Sequence, residues 1–204
     1  MARRKLHDPY FHRAKAEGYA ARSAYKLQQI QESKRLLRPG MRVLDLGCSP
    51  GSWLQVASDI VGPQGRVIGL DLKPVKLALP PTVSTLEGDI FETPAATLTE
   101  AAGGLFHAVL SDMAPNTIGH GDAERSDEIC RCVLDLLPNL LMPTGSLAMK
   151  VLEGTPFPAL LRDTRRMFSI VKPLKPKASR DVSSEIFIIA QGYTGRTDRG
   201  KTQS

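Results

Sequence analysis

Apolar residues along this chain follow two rhythms that take turns. Nearly continuous apolar runs recur at 42–47, 66–71, 83–87, 106–111, 145–151, 169–174 and 185–191, the pattern of parallel strands covered on both faces. Between them the apolar positions return every three or four residues. Trp53, Leu54, Ala57, Ile60 and Val61 share one face of 52–61. Ile129, Cys132, Val133, Leu136, Leu137 and Leu140 make a stripe through 123–141, with Asp122 as the expected N-cap. Leu160, Leu161, Thr164, Met167 and Phe168 repeat the pattern over 157–168, with Pro158 near the first turn. A helix is also expected over roughly 20–35, carrying Ala20, Ala24, Leu27 and Ile30 on one side.

Strand–helix alternation predicts an α/β fold, a seven-stranded and mostly parallel sheet with helices on both faces. The last two strands follow one another without a helix, separated by KPKASRDVSS. They should form an antiparallel hairpin at or near one edge. That ending departs from a plain dinucleotide-binding fold and points towards the Rossmann-like class I methyltransferase variant.

The chain has 204 residues, which suits one domain over 1–193 with a basic N-terminal helix. Residues 194–204 lack apolar periodicity and are expected to form a disordered tail. No apolar run approaches the roughly twenty residues needed to cross a bilayer, so no membrane association is expected. The basic N-terminus lacks the apolar core of a secretory signal, and Asp8 and Glu17 argue against a transit peptide. A cytoplasmic monomer is the expectation. Cys48, Cys130 and Cys132 offer no paired spacing, so reduced, mostly buried thiols are expected and no metal.

The net charge of +6 is unevenly spread. Residues 1–40 hold ten Lys and Arg against three acids, and residues 161–204 hold ten against four. The stretch between them is net acidic. Two basic ends around an acidic body form an electrostatic footprint for a polyanion, although solvated termini would give the same count.

The sharpest motif is Asp45-Leu46-Gly47-Cys48-Ser49-Pro50-Gly51-Ser52-Trp53, which leaves a strand and opens a helix. Glycines there permit a tight turn and close approach. A phosphate-binding P-loop would need Gly-Lys-Ser/Thr after the second glycine, and a dinucleotide fingerprint would need a third glycine. Neither is present. Asp71 ends the second strand, where a carboxylate can accept both hydroxyls of an adenosine ribose. Asp89, after the third, is placed to accept from an adenine amino group. Three acids at three successive strand ends favour a nucleoside-containing cofactor.

The fourth strand ends in Ser111-Asp112-Met113-Ala114-Pro115-Asn116. It lacks the Pro-Pro-aromatic signature suited to exocyclic base amines and the cysteine needed for attack on a cytosine ring. Instead, charged residues interrupt apolar segments. Lys150 stands in Leu147-Ala148-Met149-Lys150-Val151-Leu152, Glu185 opens Glu185-Ile186-Phe187-Ile188-Ile189, and Lys26 breaks Ser23-Ala24-Tyr25-Lys26-Leu27. A buried lysine is costly unless it is paired or deprotonated.

The motifs SAYKL, DLGCSPGSW, the strand-end Asp71, SDMAPN, KVLEG and SSEIFIIA together resemble the FtsJ/RrmJ (RlmE) family of ribosomal RNA 2′-O-ribose methyltransferases. The resemblance runs from about Ser23 to Tyr193. It implies a catalytic tetrad of Lys26, Asp112, Lys150 and Glu185. It implies S-adenosylmethionine as cofactor, with contacts at Gly51, Trp53, Asp71, Asp89 and Asp112. It also implies a uridine ribose in large-subunit ribosomal RNA as substrate, presented by the large ribosomal subunit. In that reading Lys150, desolvated beside cationic Lys26, serves as general base or orienting group. Arg22, Lys34, Arg35, Lys172, Lys175, Lys177 and Arg180 are expected to follow RNA phosphates. A tRNA or cap ribose methyltransferase, a nicotinamide oxidoreductase and a non-catalytic RNA-binding protein are the alternatives. The short chain disfavours the first, the missing glycine the second, and the complete tetrad the third.

Overall fold

The computed structural model describes residues 9–115, 121–154, 156–180 and 183–195. Its strands are β1 (Arg42–Leu46), β2 (Arg66–Asp71), β3 (Val83–Glu87), β4 (Phe106–Ser111), β5 (Leu141–Leu152), β6 (Phe168–Leu174) and β7 (Glu185–Tyr193). The helices are α1 (Pro9–Ala16), α2 (Ala24–Lys34), α3 (Ser52–Val61), α4 (Ala95–Ala102), α5 (Asp122–Leu140) and α6 (Phe157–Met167). One sheet holds all seven strands in the order β3-β2-β1-β4-β5-β7-β6. Pairings from β3 across to β5 are parallel, and β7 runs antiparallel to both its neighbours. This is the expected mostly parallel sheet with one antiparallel strand.

Alternation along each strand divides the core into two layers. On β1, Val43 joins the layer formed with Leu27 and Ile30 of α2 and Leu54 and Val61 of α3. Its neighbour Leu44 joins the opposite layer, with Leu98 of α4, Leu137 of α5 and Leu160 of α6. Both faces of the central strands are therefore covered, which is why they read as unbroken apolar runs.

From β1 the chain builds outward to β3, then crosses back to β4 and builds the other way. The reversal between β1 and β4 opens a crevice beyond the carboxyl ends of the strands, the place where doubly wound sheets bind ligands.

Several boundaries differ from expectation. The second helix begins at Ala24; Ala20 lies before it, its N–H donating to the Gln55 side chain. Asp122 is not the cap of α5. That position falls to Gly121 at φ 90, and Asp122 sits in the first turn, where its charge opposes the helix dipole favourably. Strand β5 starts at Leu141, directly where α5 ends. Helices α1 and α4 were not foreseen. All three cysteines are free, Cys48 and Cys130 buried and Cys132 partly so. Thr194 donates to the Met167 carbonyl through both its amide and its hydroxyl; the rest of the expected tail from 196 lies outside the described residues. Among those residues no helix is long and apolar enough to cross a membrane.

Candidate active site

A cleft of about 680 Å³ occupies the crevice, a size suited to a nucleoside-containing ligand. The loop after β1 forms its floor. Gly47 adopts φ 77, and its N–H donates to the Leu70 carbonyl at 2.8 Å. A Cβ at Gly47 would stand 2.5 Å from Met113 Cγ, so this glycine lets two strand-end loops touch. Gly51, at φ 113, caps α3, and a Cβ there would meet Leu77 at 2.7 Å. Ser49 and Pro50, joined by a cis peptide bond, line the cleft between them.

Asp71 receives two main-chain hydrogen bonds, from Ser49 N–H to Oδ2 and Lys73 N–H to Oδ1, both at 2.9 Å. It thereby locks the loop, while each oxygen keeps a second lone pair for a ligand hydroxyl. Asp89 Oδ1 accepts from Phe91 N–H at 3.0 Å. Leu72, Ile90 and Phe91 supply apolar walls beside these carboxylates. The combination suits a nucleoside, apolar on its ring faces and rich in donors at its edge.

Beneath the loop, Asp45 is fully buried at the end of β1, and neither of its carboxylate oxygens has a hydrogen-bond partner among the described residues. Burial, reinforced by the charges of Asp112 and Asp71, pushes its carboxyl well above the ordinary carboxylate range. The acids that line the cleft, Asp71, Asp89 and Asp112, favour a ligand bearing positive charge.

Four charged side chains converge beside the cleft. Lys26 comes from α2, Asp112 follows β4, Lys150 lies on β5 and Glu185 opens β7. Lys26 Nζ lies 2.8 Å from both Glu185 oxygens and 3.9 Å from Asp112 Oδ1. Lys150 Nζ lies 3.0 Å from Asp112 Oδ1 and also donates to the Asp112 main-chain oxygen. Lys150 and Glu185 are each only 9% exposed. Burial alone would raise the Glu185 carboxyl; the hydrogen bond and charge of Lys26, with the Lys150 charge behind it, hold it below its ordinary value. Asp112 belongs to both groups, since it also lines the cleft.

The structure therefore brings Lys26, Asp112, Lys150 and Glu185 together, and it puts Asp71, Asp89 and Asp112 on the cleft wall. Gly51 and Trp53 are not among the lining residues. Trp53 is buried and stacks on Phe187, with ring centroids 5.7 Å apart. Leu72, Phe91 and Met113 line the cleft without having been expected. A signal for the first two was present: large apolar residues, left exposed, directly after Asp71 and two positions after Asp89.

The model of the FtsJ-like methyltransferase family matches residues 19–193. A Syntrophobacter fumaroxidans protein named ribosomal RNA large subunit methyltransferase E is 45% identical over 186 residues, covering 90% of this chain and 94% of that protein. A Pseudomonas fluorescens protein of the same name is 39% identical over 200 residues, covering 96% of this chain and 95% of the relative. Among solved structures, a Plasmodium falciparum protein provisionally named a ribosomal RNA methyltransferase superposes with a TM-score of 0.76 at 26% identity, covering 87% of this chain and 100% of that one. A glycine loop at the sheet's switch point, strand-end carboxylates and a four-charge cluster beside them accompany that match, and the chain belongs to the FtsJ-like methyltransferase family.

Proposed function

We propose that this protein transfers a methyl group from S-adenosylmethionine to the 2′-hydroxyl of a uridine ribose in large-subunit ribosomal RNA, acting as a cytoplasmic monomer on the large ribosomal subunit. The observation that carries this reading is the Lys26–Asp112–Lys150–Glu185 cluster, joined to the cleft through Asp112. The names of the relatives support the choice of ribosomal RNA.

The cleft fits the cofactor on its own chemistry. Asp71 would hold the ribose hydroxyls and Asp89 the adenine amino group, while Asp112, on the cleft wall, would provide negative charge near a sulfonium. When bound, the sulfonium supplies an activated methyl group. The protein's remaining task is to aim a weak nucleophile and manage its proton.

Lys150 Nζ donates to the Asp112 main-chain oxygen and forms an ion pair with Asp112 Oδ1 at 3.0 Å. So anchored, the nitrogen can orient the ribose oxygen or, once deprotonated, take its proton. Glu185 fixes Lys26, so a second cation stands beside the reacting oxygen and favours its anionic form. Asp112 keeps Lys150 from drifting into the cleft.

Phosphates would be followed by the exposed Lys172, Lys175, Lys177 and Arg180 around the turn between β6 and β7, and by Arg35 at the end of α2. Arg22, half-buried, donates to the Ala178 carbonyl and so steadies that turn. The test is incubation with labelled S-adenosylmethionine and large subunits from a strain lacking the enzyme, followed by mapping of the product nucleotide. Label on a uridine 2′-oxygen is expected; label on a base, or none, refutes the reading.

A further inference from the structure

Trp53 is the single tryptophan of the chain, and it does not line the cleft. Only 2% of it is exposed. Its indole has two attachments, and its backbone makes a third. The Nε1–H donates to the Ser23 carbonyl at 2.8 Å, at the residue that caps α2. The ring stacks on Phe187 with the planes 27° apart. The backbone belongs to the first turn of α3, immediately after the glycine loop.

Each attachment leads to part of the site. Helix α2 carries Lys26. Phe187 pairs across the sheet with Lys150 and stands two residues beyond Glu185, so the three side chains share one face. Lys26 Nζ lies over the Phe187 ring, 5.9 Å from its centroid. The glycine loop is the floor of the cofactor cleft. A second tie runs alongside, because Ser23 Oγ and Ser52 Oγ lie 2.7 Å apart.

The four charged residues are not held equally firmly. Lys150 and Glu185 are registered directly against one another's strand by the sheet ladder, and Asp112 directly follows a strand registered in the same way. Lys26 alone comes from a helix, and a helix can slide on a sheet by an ångström without breaking its own hydrogen bonds. A buried indole N–H needs an acceptor; here the acceptor is the carbonyl at the start of that helix.

We infer that Trp53 is a positioning residue, which through Ser23 and Phe187 fixes Lys26 relative to the glycine loop and hence to the methyl donor. The inference rests on the reaction proposed above and adds a residue that acts through Lys26 without touching substrate. Misplacing a reacting group by an ångström costs on the order of a hundredfold in rate, so a strut at this point governs turnover more than affinity.

Trp53→Phe keeps an aromatic ring against Phe187 and removes the N–H. Ile30→Val, which trims α2 in the same apolar layer without touching the strut, is the control for general loosening. Two readouts are taken on the full chain. In the methylation assay, Trp53→Phe should lower kcat by about tenfold or more while the calorimetric Kd for S-adenosylmethionine is essentially unchanged. In the absence of RNA, reaction of lysines with an amine-directed acylating reagent is followed by mass spectrometry. Lys26 should react about fivefold faster in Trp53→Phe, the response to roughly 1 kcal/mol of easier opening, and Lys150 should react at its original rate. Ile30→Val should move neither quantity. Wild-type kcat and Lys26 reactivity in Trp53→Phe overturn the inference, as does an equal change in Ile30→Val. Wild-type protein that labels no RNA overturns the reaction itself, and the Lys26:Lys150 reactivity ratio still decides the strut.

Discussion

The Lys26–Glu185 pair offers a quantitative test of how the site is built, through a double-mutant cycle with Lys26→Met and Glu185→Leu. The two groups lie 2.8 Å apart, with side chains 11% and 12% exposed. Removing one partner of a buried ion pair leaves an uncompensated charge and costs about 3–5 kcal/mol, whereas replacing both with apolar groups is often close to neutral. The structure makes the two single changes unequal. Without Glu185, Lys26 still has Asp112 at 3.9 Å, so Glu185→Leu should cost about 2 kcal/mol, below the range for a fully orphaned charge. Without Lys26, Glu185 loses the larger of the hydrogen bonds and the larger of the neighbouring charges that hold its carboxyl down, so Lys26→Met should cost about 3–4 kcal/mol. The double variant should cost about 1 kcal/mol, a coupling of roughly 4–5 kcal/mol. Urea unfolding followed by fluorescence of Trp53, buried near the pair, measures all three. A double variant whose cost equals the sum of the singles within about 0.5 kcal/mol would refute the reasoning. All three variants should be inactive, the double one included, which separates stability from function.

Lys150→Ala should abolish methyl transfer and leave cofactor affinity intact, because Lys150 does not line the cleft; near-normal turnover of the purified variant removes it from the mechanism. Asp71→Ala deletes charge-assisted bonds worth about 1.5–3 kcal/mol and should weaken cofactor binding by roughly ten- to a hundredfold, a change that calorimetry reads directly. Asp45→Asn tests the buried acid through pH. A carboxyl raised in the folded state binds its proton more tightly there than in the unfolded chain, so wild-type stability falls as pH rises above its ordinary value of 3.8. The Tm of the cofactor-free variant should therefore gain on that of wild type as pH increases from 4 upward, and parallel Tm curves would argue against a raised Asp45.

Helix 52–61 was legible at both ends because Gly51 and Gly62 bracket a clean apolar stripe. The start of β5 was not, since Leu140-Leu141-Met142 continues the stripe of α5 and the change from helix to strand is made by backbone pairing with Phe106. Helix α4 has mainly alanines to bury, so no stripe announces it, although Pro94 before it and Gly103 after it are the usual punctuation. Helix α1 is short and buries only Ala14. The insertion of β7 between β5 and β6 could not be read locally, because a hairpin signal says only that β6 and β7 pair. The same limit applied to the site. The charges stood out by interrupting apolar segments, and the family resemblance grouped them. That Glu185 pairs with Lys26, and Asp112 with Lys150, depends on contacts up to 159 residues apart in the chain. Trp53 shows another limit, since position in a motif marks a residue without saying which way its side chain turns.

The placement of β7 also bears on the order in which the chain is made. Strand β6, at the rim of the sheet, is synthesised before β7, the strand that joins it to the rest. Until residues 185–193 leave the ribosome, β5 has one unpaired edge, a 12-residue strand whose second half is buried in the finished protein. Such an edge is open to pairing with other chains. The same nine residues close that edge and deliver Glu185 to Lys26. Completion of the sheet and completion of the charge cluster are therefore one event in the life of the nascent chain, and a chain cut short before residue 185 lacks both.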